Sequence, residues 1–197
     1  MRNEFYGDQR DLWKWTIALR EAGPGKTILH VAMLRPPKRL RQMPKGIDER
    51  VWDFFVHEWE CFETEPSRCS RIARLSDQVE LVSHPFNNHN RSEYFEHVVT
   101  ALVSRARHKS FVVLLDPDTG IAESKPSYKH ICDVDITTVW NAMRNDDVLL
   151  IYQHNAHVEK KRWIAEKKRL VAGATGRPDS HIKDYPHSDV CYFVVGK

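Results

Sequence analysis

Apolar residues along the chain fall into two patterns that alternate with each other. Compact apolar runs bounded by turn residues predict buried strands, and they lie at 27–34, 78–83, 110–116, 147–154 and 189–196. Apolar positions spaced three and four residues apart predict amphipathic helices, and they lie at 12–19, 47–62, 91–107, 136–145 and 158–173. Asp11 is suited to cap the first helix, and the Gly-Pro-Gly at 23–25 is suited to end it.

Strands that alternate with helices require crossover connections, which produce a mostly parallel sheet covered by helices on both faces. The nearly continuous apolar runs at 111–115 and 148–152 agree with burial on both faces. A chain of 197 residues has the usual length of one domain. We therefore predict a single α/β domain over residues 1–197, a Rossmann-like, doubly wound fold with a mostly parallel sheet.

Composition narrows the class of protein. Apolar residues make up 41% of the chain and charged residues 29%, which provides for a substantial core. The net charge of +3 is too small for the whole molecule to act as a polycation, so affinity for nucleic acid has to come from local clusters. The four cysteines form no C-x-x-C pair, and no segment approaches the ~20 apolar residues of a membrane span. We expect a soluble, cytoplasmic protein without a membrane partner.

Two aspartates follow the central apolar run in the segment FVVLLDPDTGI at 111–121. Ligands of open parallel sheets bind outside the carboxyl ends of the strands, which places Asp116 and Asp118 at the ligand-binding edge, together with Gln153 and His154 after the next run. Carboxylate oxygens suit Mg²⁺ or Mn²⁺, and histidine transfers protons near neutral pH. Asp-Pro-Asp-x-Gly is equally good turn chemistry, and a Gln-His pair can also cap a helix. Both interpretations stay open.

The segment GDQRDLWKW at 7–15 brings Asp8, Asp11 and Lys14 close together. Lys14 follows Asp11 by three residues, a spacing that allows a surface ion pair. Because two tryptophans flank it, Lys14 could instead be a desolvated lysine that binds a phosphate, with the two aspartates at the substrate. The later segment EAGPGKT is no nucleotide-binding loop, because Arg20 stands where the pattern requires glycine and the segment leads from a helix into a strand.

Basic residues cluster in the proline-containing stretch 35–45 and in the helical stretch 159–169. Such clusters either form a solvated face or hold a phosphate backbone beside a site. The candidates for substrate binding are Arg39, Arg41, Lys160, Lys161 and Arg162. Trp163 could stack on a base, although a place in the core is the stronger prediction.

The segments GDQRDLWKW, LLDPDTG and LLIYQH together resemble an uncharacterised family of bacterial and phage proteins with a Gly-Asp and Lys start, an Asp-Pro-Asp-x-Gly loop and a Tyr-Gln-His strand end. Thr119 replaces the asparagine expected in that loop. A more distant resemblance is to Rossmann-type methyltransferases, in which a strand ends in Asp-Pro-Pro-Tyr. Asp116 fits that motif, but the aromatic residue is missing, and the first strand lacks the glycine-rich turn that holds S-adenosylmethionine.

These features lead to one main functional expectation and two alternatives. The main expectation is a divalent-metal-dependent phosphodiesterase of nucleic acid or nucleotides, and more specifically a nuclease. In it Asp116 and Asp118 bind Mg²⁺ or Mn²⁺, His154 moves protons and Lys14 holds phosphate. The first alternative is a methyltransferase-like protein, active or degenerate, that binds S-adenosylmethionine. The second is a non-catalytic module that binds nucleic acid or a protein.

Overall fold

The computed structural model describes residues 9–33, 76–82, 84, 86–105, 110–122, 125–155 and 159–197. The helices within these residues are α1 (Gln9–Ala22), α2 (Arg91–Arg105), α3 (Asp133–Ala142) and α4 (Lys160–Thr175). The main strands are β1 (Lys26–Ala32), β2 (Val79–Val82), β3 (Ser110–Asp116), β6 (Val148–His154), β7 (Lys183–His187) and β8 (Val190–Gly196). Two short strands, β4 (Gly120–Ile121) and β5 (His130–Ile131), form a separate parallel pair.

The main sheet has six strands in the order β2-β1-β3-β6-β8-β7. The first four are parallel, while β8 runs antiparallel to both of its neighbours, β6 and β7. Helix α2 lies between β2 and β3 along the chain, and helix α3 lies between β3 and β6. The described residues therefore confirm the predicted α/β fold with a mostly parallel sheet.

The strand order reverses between β1 and β3. The chain passes from β1 to β2 on one side, and then crosses from β2 to β3 on the other side of β1. In open α/β sheets such a reversal opens a crevice at the carboxyl ends of the two central strands, where ligands bind. Asp116 is the last residue of β3 and therefore lies at this edge.

Buried side chains form a core on each face of the sheet. One core contains residues of α2, α3 and α4, such as Val98, Ile136 and Trp163, packed on β3 residues such as Leu115. The other contains α1 residues, together with β3 residues such as Leu114. Trp163 is fully buried, which confirms its predicted place in the core.

Several boundaries differ from the predictions. Helix α1 begins at Gln9, so Asp11 lies inside the helix and the prediction that it is the N-cap is wrong. Gly23 ends that helix as predicted, with φ of 53° and an N–H that donates to the Leu19 carbonyl at 3.0 Å. Strand β7 and the β4–β5 pair were not predicted, since they are short or partly exposed. The helix predicted at 47–62 lies outside the described residues.

In the part of the chain that the structure describes, no helix is both long enough and apolar enough to cross a membrane. Cys132 and Cys191 lie within it, and both are free thiols.

Candidate functional site

A buried cluster of three ionisable side chains lies under α1 at the end of β3. Side chains alternate between the faces of a strand, so Asp116 of β3 and His30 of β1 both face α1, where Lys14 meets them. The Asp116 Oδ2 accepts a hydrogen bond from Lys14 Nζ at 2.7 Å and lies 2.9 Å from His30 Nε2. All three residues are at most 2% exposed. We call these three residues the inner cluster.

Charge compensation within the inner cluster determines the ionisation of Asp116. Burial by itself raises the pKa of this carboxyl group, but the charge of Lys14 and the hydrogen bond from His30 more than offset that effect. The pKa of Asp116 is therefore held well below its ordinary value, and the group is a carboxylate at neutral pH. Lys14 is desolvated, as one interpretation of the sequence predicted, and it does not lie on the surface.

The inner cluster fits poorly with metal binding by Asp116. The ammonium group of Lys14 lies at hydrogen-bonding distance from the carboxylate, where a divalent cation would have to bind. A cation there would meet the repulsion of Lys14 in a buried, weakly screened site. Within the described ranges, no group of three or more His, Cys, Asp or Glu side chains is arranged to hold a metal ion. Asp118, the second predicted ligand, is partly exposed beyond the strand end.

A second, more accessible cluster lies at the first turn of α1. Asp189, in the turn between β7 and β8, accepts hydrogen bonds from Arg10 Nε at 3.3 Å and from Arg10 Nη2 at 2.5 Å. The same carboxylate lies 3.1 Å from Nε2 of His154, at the end of β6. Partial burial raises the pKa of Asp189, and the bonds from Arg10 lower it to below its ordinary value. We call Arg10, His154 and Asp189 the outer cluster.

Helix α1 and strand β6 connect the two clusters. Arg10 and Lys14 are four residues apart on α1 and so lie on the same side of the helix. In the β3–β6 register, Leu115 is opposite Ile151. Asp116 and Tyr152 are the next residues on the two parallel strands, so they lie side by side. His154 is two residues farther along β6, which places its Cα roughly 8 Å from that of Asp116 by strand geometry. The inner and outer clusters therefore lie next to each other at the carboxyl edge of the sheet.

Tyr152 is the aromatic side chain between the two clusters. Lys14 Nζ lies 5.8 Å from its ring centroid. Burial, followed by the charge of Asp116, raises the pKa of its hydroxyl group, while the charges of Arg10 and Lys14 oppose the rise less strongly. The hydroxyl group therefore stays protonated at neutral pH and can donate a hydrogen bond.

Gln153, predicted to bind substrate or cap a helix, instead holds the loop that follows Asp116. Its Oε1 accepts a hydrogen bond from the Ile121 N–H at 2.6 Å, and its Nε2 donates to the carbonyl groups of Thr119 at 3.3 Å and of His154 at 2.9 Å. Gly120 has φ of 120°, and a Cβ there would lie 2.4 Å from the Gln153 side chain. This close packing fixes the loop against β6.

Lys167 also holds this loop, although the sequence placed it on a solvated basic face. It is 5% exposed, and its Nζ donates to the Ile121 carbonyl at 2.7 Å. The interpretation of 159–169 as a uniformly solvated face is therefore wrong for this residue. The loop that contains Asp118 is thus fixed from both β6 and α4.

The turn between β7 and β8 carries an unusual backbone conformation. Ser188 has φ of 46°, a left-handed conformation that is uncommon for residues other than glycine. Its carbonyl group accepts a hydrogen bond from Lys160 Nζ at 3.0 Å, and the carbonyl group of Asp189 accepts one from the Asn155 N–H at 2.7 Å. These contacts attach the turn to the end of β6 and the start of α4, so they position Asp189 toward His154.

The other predicted substrate-binding residues of α4 lie at its first turn. Glu159 caps the helix by accepting hydrogen bonds from the N–H groups of Lys161 and Arg162. Three consecutive cations, beginning at Lys160, lie here at the positive end of the helix dipole, where positive charge is unfavourable. The side chains of Lys161 and Arg162 are exposed, and Arg162 forms a pair with Glu166 at 2.8 Å.

Of the predicted site residues, the structure brings Lys14 and Asp116 into direct contact and places His154 on the same edge. Asp8, Arg39, Arg41 and the side chain of Asp11 lie outside the described residues. The sequence interpretation missed His30, which lies inside an apolar run; a polar residue on a strand face directed to α1 is the signal that could have found it. It also missed Arg10 and Asp189, which are 179 positions apart.

Comparison with known proteins adds no relative. No family model matches the chain, no curated protein matches it, and no solved structure matches it.

Proposed function

We propose that the protein is a phosphodiesterase of nucleic acid or nucleotides, with the outer cluster as its acid–base centre. The observation that carries the proposal is the distance of 3.1 Å between the Asp189 carboxylate and His154 Nε2. Arg10 donates a hydrogen bond to the same carboxylate. A carboxylate bound to one imidazole nitrogen orients the ring and leaves the other nitrogen to exchange protons with a substrate or water. The His154 side chain is 25% exposed, which gives solvent and substrate access to it.

The proposed reaction follows from these positions. His154 Nδ1 takes a proton from a water molecule as the water oxygen forms a bond to phosphorus, and Asp189 stabilises the resulting imidazolium. The bond from phosphorus to the leaving oxygen then breaks, and that oxygen takes the proton back from His154. Arg10, Lys161 and Arg162 provide positive charge for the phosphate groups.

Unequal exposure of the two clusters supports this division of roles. The inner cluster is closed to solvent, so Lys14 and Asp116 do not contact substrate. Their charges affect the residues at the carboxyl edge of the sheet only indirectly, by way of α1 and Tyr152. Mg²⁺ or Mn²⁺ remains part of the proposal as a cofactor, but Asp116 is not proposed as its ligand, because Lys14 already compensates that carboxylate.

Cleavage assays with and without His154 test the proposal. The substrates are a labelled single-stranded oligonucleotide and a chromogenic phosphodiester, each with Mg²⁺, with Mn²⁺ and with EDTA. We expect His154→Asn to lower kcat by about 100-fold or more, the usual contribution of a general acid–base group. Asp189→Asn should lower kcat less, because the ring then keeps a weaker hydrogen bond. His97→Ala is the matched control, since His97 is a partly exposed histidine on α2, on the opposite face of the sheet.

Two results would contradict the proposal. The first is that the wild-type protein cleaves neither substrate under any of the three metal conditions. The second is that His154→Asn cleaves at the wild-type rate. Loss of cleavage in EDTA alone would establish metal dependence and would leave the role of His154 to be decided by the variant.

A second candidate is a methyltransferase-like protein, and the end of β3 favours it. In the Rossmann-type methyltransferases that the chain resembles, a strand ends in Asp-Pro-Pro-Tyr, and β3 likewise ends in Asp116, which Pro117 follows. Such a likeness does not by itself define the chemistry. Calorimetry with S-adenosylmethionine decides: saturable binding supports this candidate, and absence of binding removes it.

A further inference from the structure

Trp13 is an exposed aromatic residue beside the outer cluster. It is 43% exposed, and it follows Arg10 by three residues, so both side chains lie on the same side of α1. Its ring is 4.4 Å from that of His187, centroid to centroid, at an interplanar angle of 40°. His187 in turn precedes Asp189 by two residues. The contacts of the helix with the β7–β8 hairpin therefore include Arg10 with Asp189 and Trp13 with His187.

Packing against His187 covers only part of the indole. Single exposed apolar side chains are common on protein surfaces and by themselves indicate nothing. Two features distinguish Trp13 from Val134, which is more exposed and lies on α3. Trp13 presents a flat aromatic surface whose position is fixed by a second ring. It also lies one turn from Arg10 on the same helix, and the hairpin that its ring contacts is also contacted by Lys160 from the first turn of α4.

An aromatic surface next to clustered cations matches the chemistry of a nucleotide chain. Bases stack on aromatic side chains regardless of their identity, while phosphates follow the positive groups. The bases of a duplex are stacked on each other and are not available to an external ring, whereas unpaired bases are. The charge of the surroundings favours this ligand over an apolar segment of a protein.

We propose that Trp13, fixed by His187, is a stacking platform for an unpaired base of a single-stranded nucleic acid whose phosphates lie against Arg10 and the start of α4. The inference rests on the proposed function for its substrate class, and it adds the requirement for a single strand and the residue that recognises the base.

Binding of a fluorescein-labelled oligothymidylate to the full chain, measured by anisotropy over a range of salt concentrations, tests the inference. EDTA is present and His154→Asn is the background, so that cleavage does not interfere. We expect Trp13→Ala to weaken binding by about 5-fold to about 150-fold, the range for loss of one stacked base. The salt dependence should stay unchanged, because no phosphate contact is lost. Trp13→Phe should retain most of the affinity, and Val134→Ala is the matched control.

The cationic contacts should behave differently. Lys161→Gln should weaken binding and also reduce the slope of log K against log salt by about 0.7, the value for one phosphate contact on a single strand. A duplex of the same length should bind more weakly than the single strand and should be insensitive to Trp13→Ala.

Each of the three following results would overturn the inference. If the background protein binds the oligonucleotide and Trp13→Ala binds as tightly as Val134→Ala, the platform is wrong and the proposed substrate class survives. If duplex and single strand lose affinity equally in Trp13→Ala, stacking on an unpaired base is wrong. If the background protein binds no oligonucleotide, the substrate class fails and the inference fails with it. Thermal unfolding of Trp13→Ala and Trp13→Phe identifies a loss of binding that arises from misfolding, and Trp13→Phe then decides.

Discussion

Replacing Lys14 by methionine should cost far more stability than the loss of an ordinary surface ion pair. Methionine keeps most of the aliphatic packing of lysine and removes the charge. The Lys14 and Asp116 side chains are each 2% exposed and 2.7 Å apart, so neither charge is hydrated in the folded state. Removing one partner of such a pair leaves the other charge buried, with a usual cost of about 3–5 kcal/mol. A domain of this size is stable by about 5–15 kcal/mol, so the variant should still fold.

The assay is urea unfolding at pH 7, monitored by circular dichroism, for four proteins: the wild type, Lys14→Met, Asp116→Asn and the double variant. Because the double variant contains no uncompensated charge from this pair, it should lose less than the sum of the single losses, with a coupling energy of about 2 kcal/mol or more. Arg162→Gln is the control: Arg162 is 79% exposed in its pair with Glu166, and its loss should be far smaller than that of Lys14→Met, because exposed ion pairs contribute little to stability.

The pH dependence follows from the lowered pKa of Asp116. A carboxyl group with a lower pKa in the folded state than in the unfolded state stabilises the fold fully above its unfolded pKa of about 3.9. That contribution is lost as the pH falls from there toward the lowered value. The difference in stability between wild type and Asp116→Asn should therefore be constant from about pH 7 to pH 5 and should shrink below about pH 4. Two results would refute the buried ion pair. One is a loss under about 1 kcal/mol for Lys14→Met, and the other is a difference in stability between wild type and Asp116→Asn that does not shrink below about pH 4.

Two further substitutions test backbone positions around the edge. Gly120→Ala should lower the free energy of unfolding by about 3 kcal/mol, because the new Cβ meets Gln153 at 2.4 Å and φ of 120° strains any other residue; an additive loss in combination with Gln153→Ala would contradict this contact. Ser188→Gly should raise the free energy of unfolding by about 0.5–1 kcal/mol, because glycine tolerates φ of 46°. Thermal unfolding measures it, with Ser180→Gly as the control; no gain at Ser188 relative to that control would show that the turn is unstrained.

Strands buried on both faces were the most predictable part of the fold. β3 has the predicted bounds, residues 110–116, and β6 begins one residue later than the predicted 147–154. Burial on both faces selects a continuous apolar run, and such a run ends where the strand reaches the polar edge. The sequence therefore identifies which residues stand at the carboxyl end of each central strand.

The edge strand β7 was not predictable from the same signal. It has the sequence KDYPH, and none of its residues is fully buried. A strand with a neighbour on only one side can contain proline and charged side chains, so its pattern resembles that of a loop. Because β7 was missed, the hairpin with β8 and the position of Asp189 in its turn were missed with it.

The side chains of the candidate site were predictable only one strand at a time. Asp116 and His154 each follow an apolar run, and this places them on one edge. Which groups they contact depends on the α1 face of the sheet, where residues from both ends of the chain meet: Lys14 reaches Asp116, and Arg10 reaches Asp189. Contacts across such sequence separations leave no local pattern in the sequence.

The same contacts separate the roles of the two aspartates in the segment 111–121. Asp116 ends a buried strand, and its charge is compensated by Lys14 and by the hydrogen bond from His30. Asp118 follows Pro117 in a loop that Gln153 and Lys167 hold, where it is partly exposed. A carboxylate that is buried and ion-paired cannot exchange protons with solvent near neutral pH. The proton transfer that we propose at this edge therefore requires a partly exposed group that a second side chain orients, and His154 with Asp189 meets both conditions.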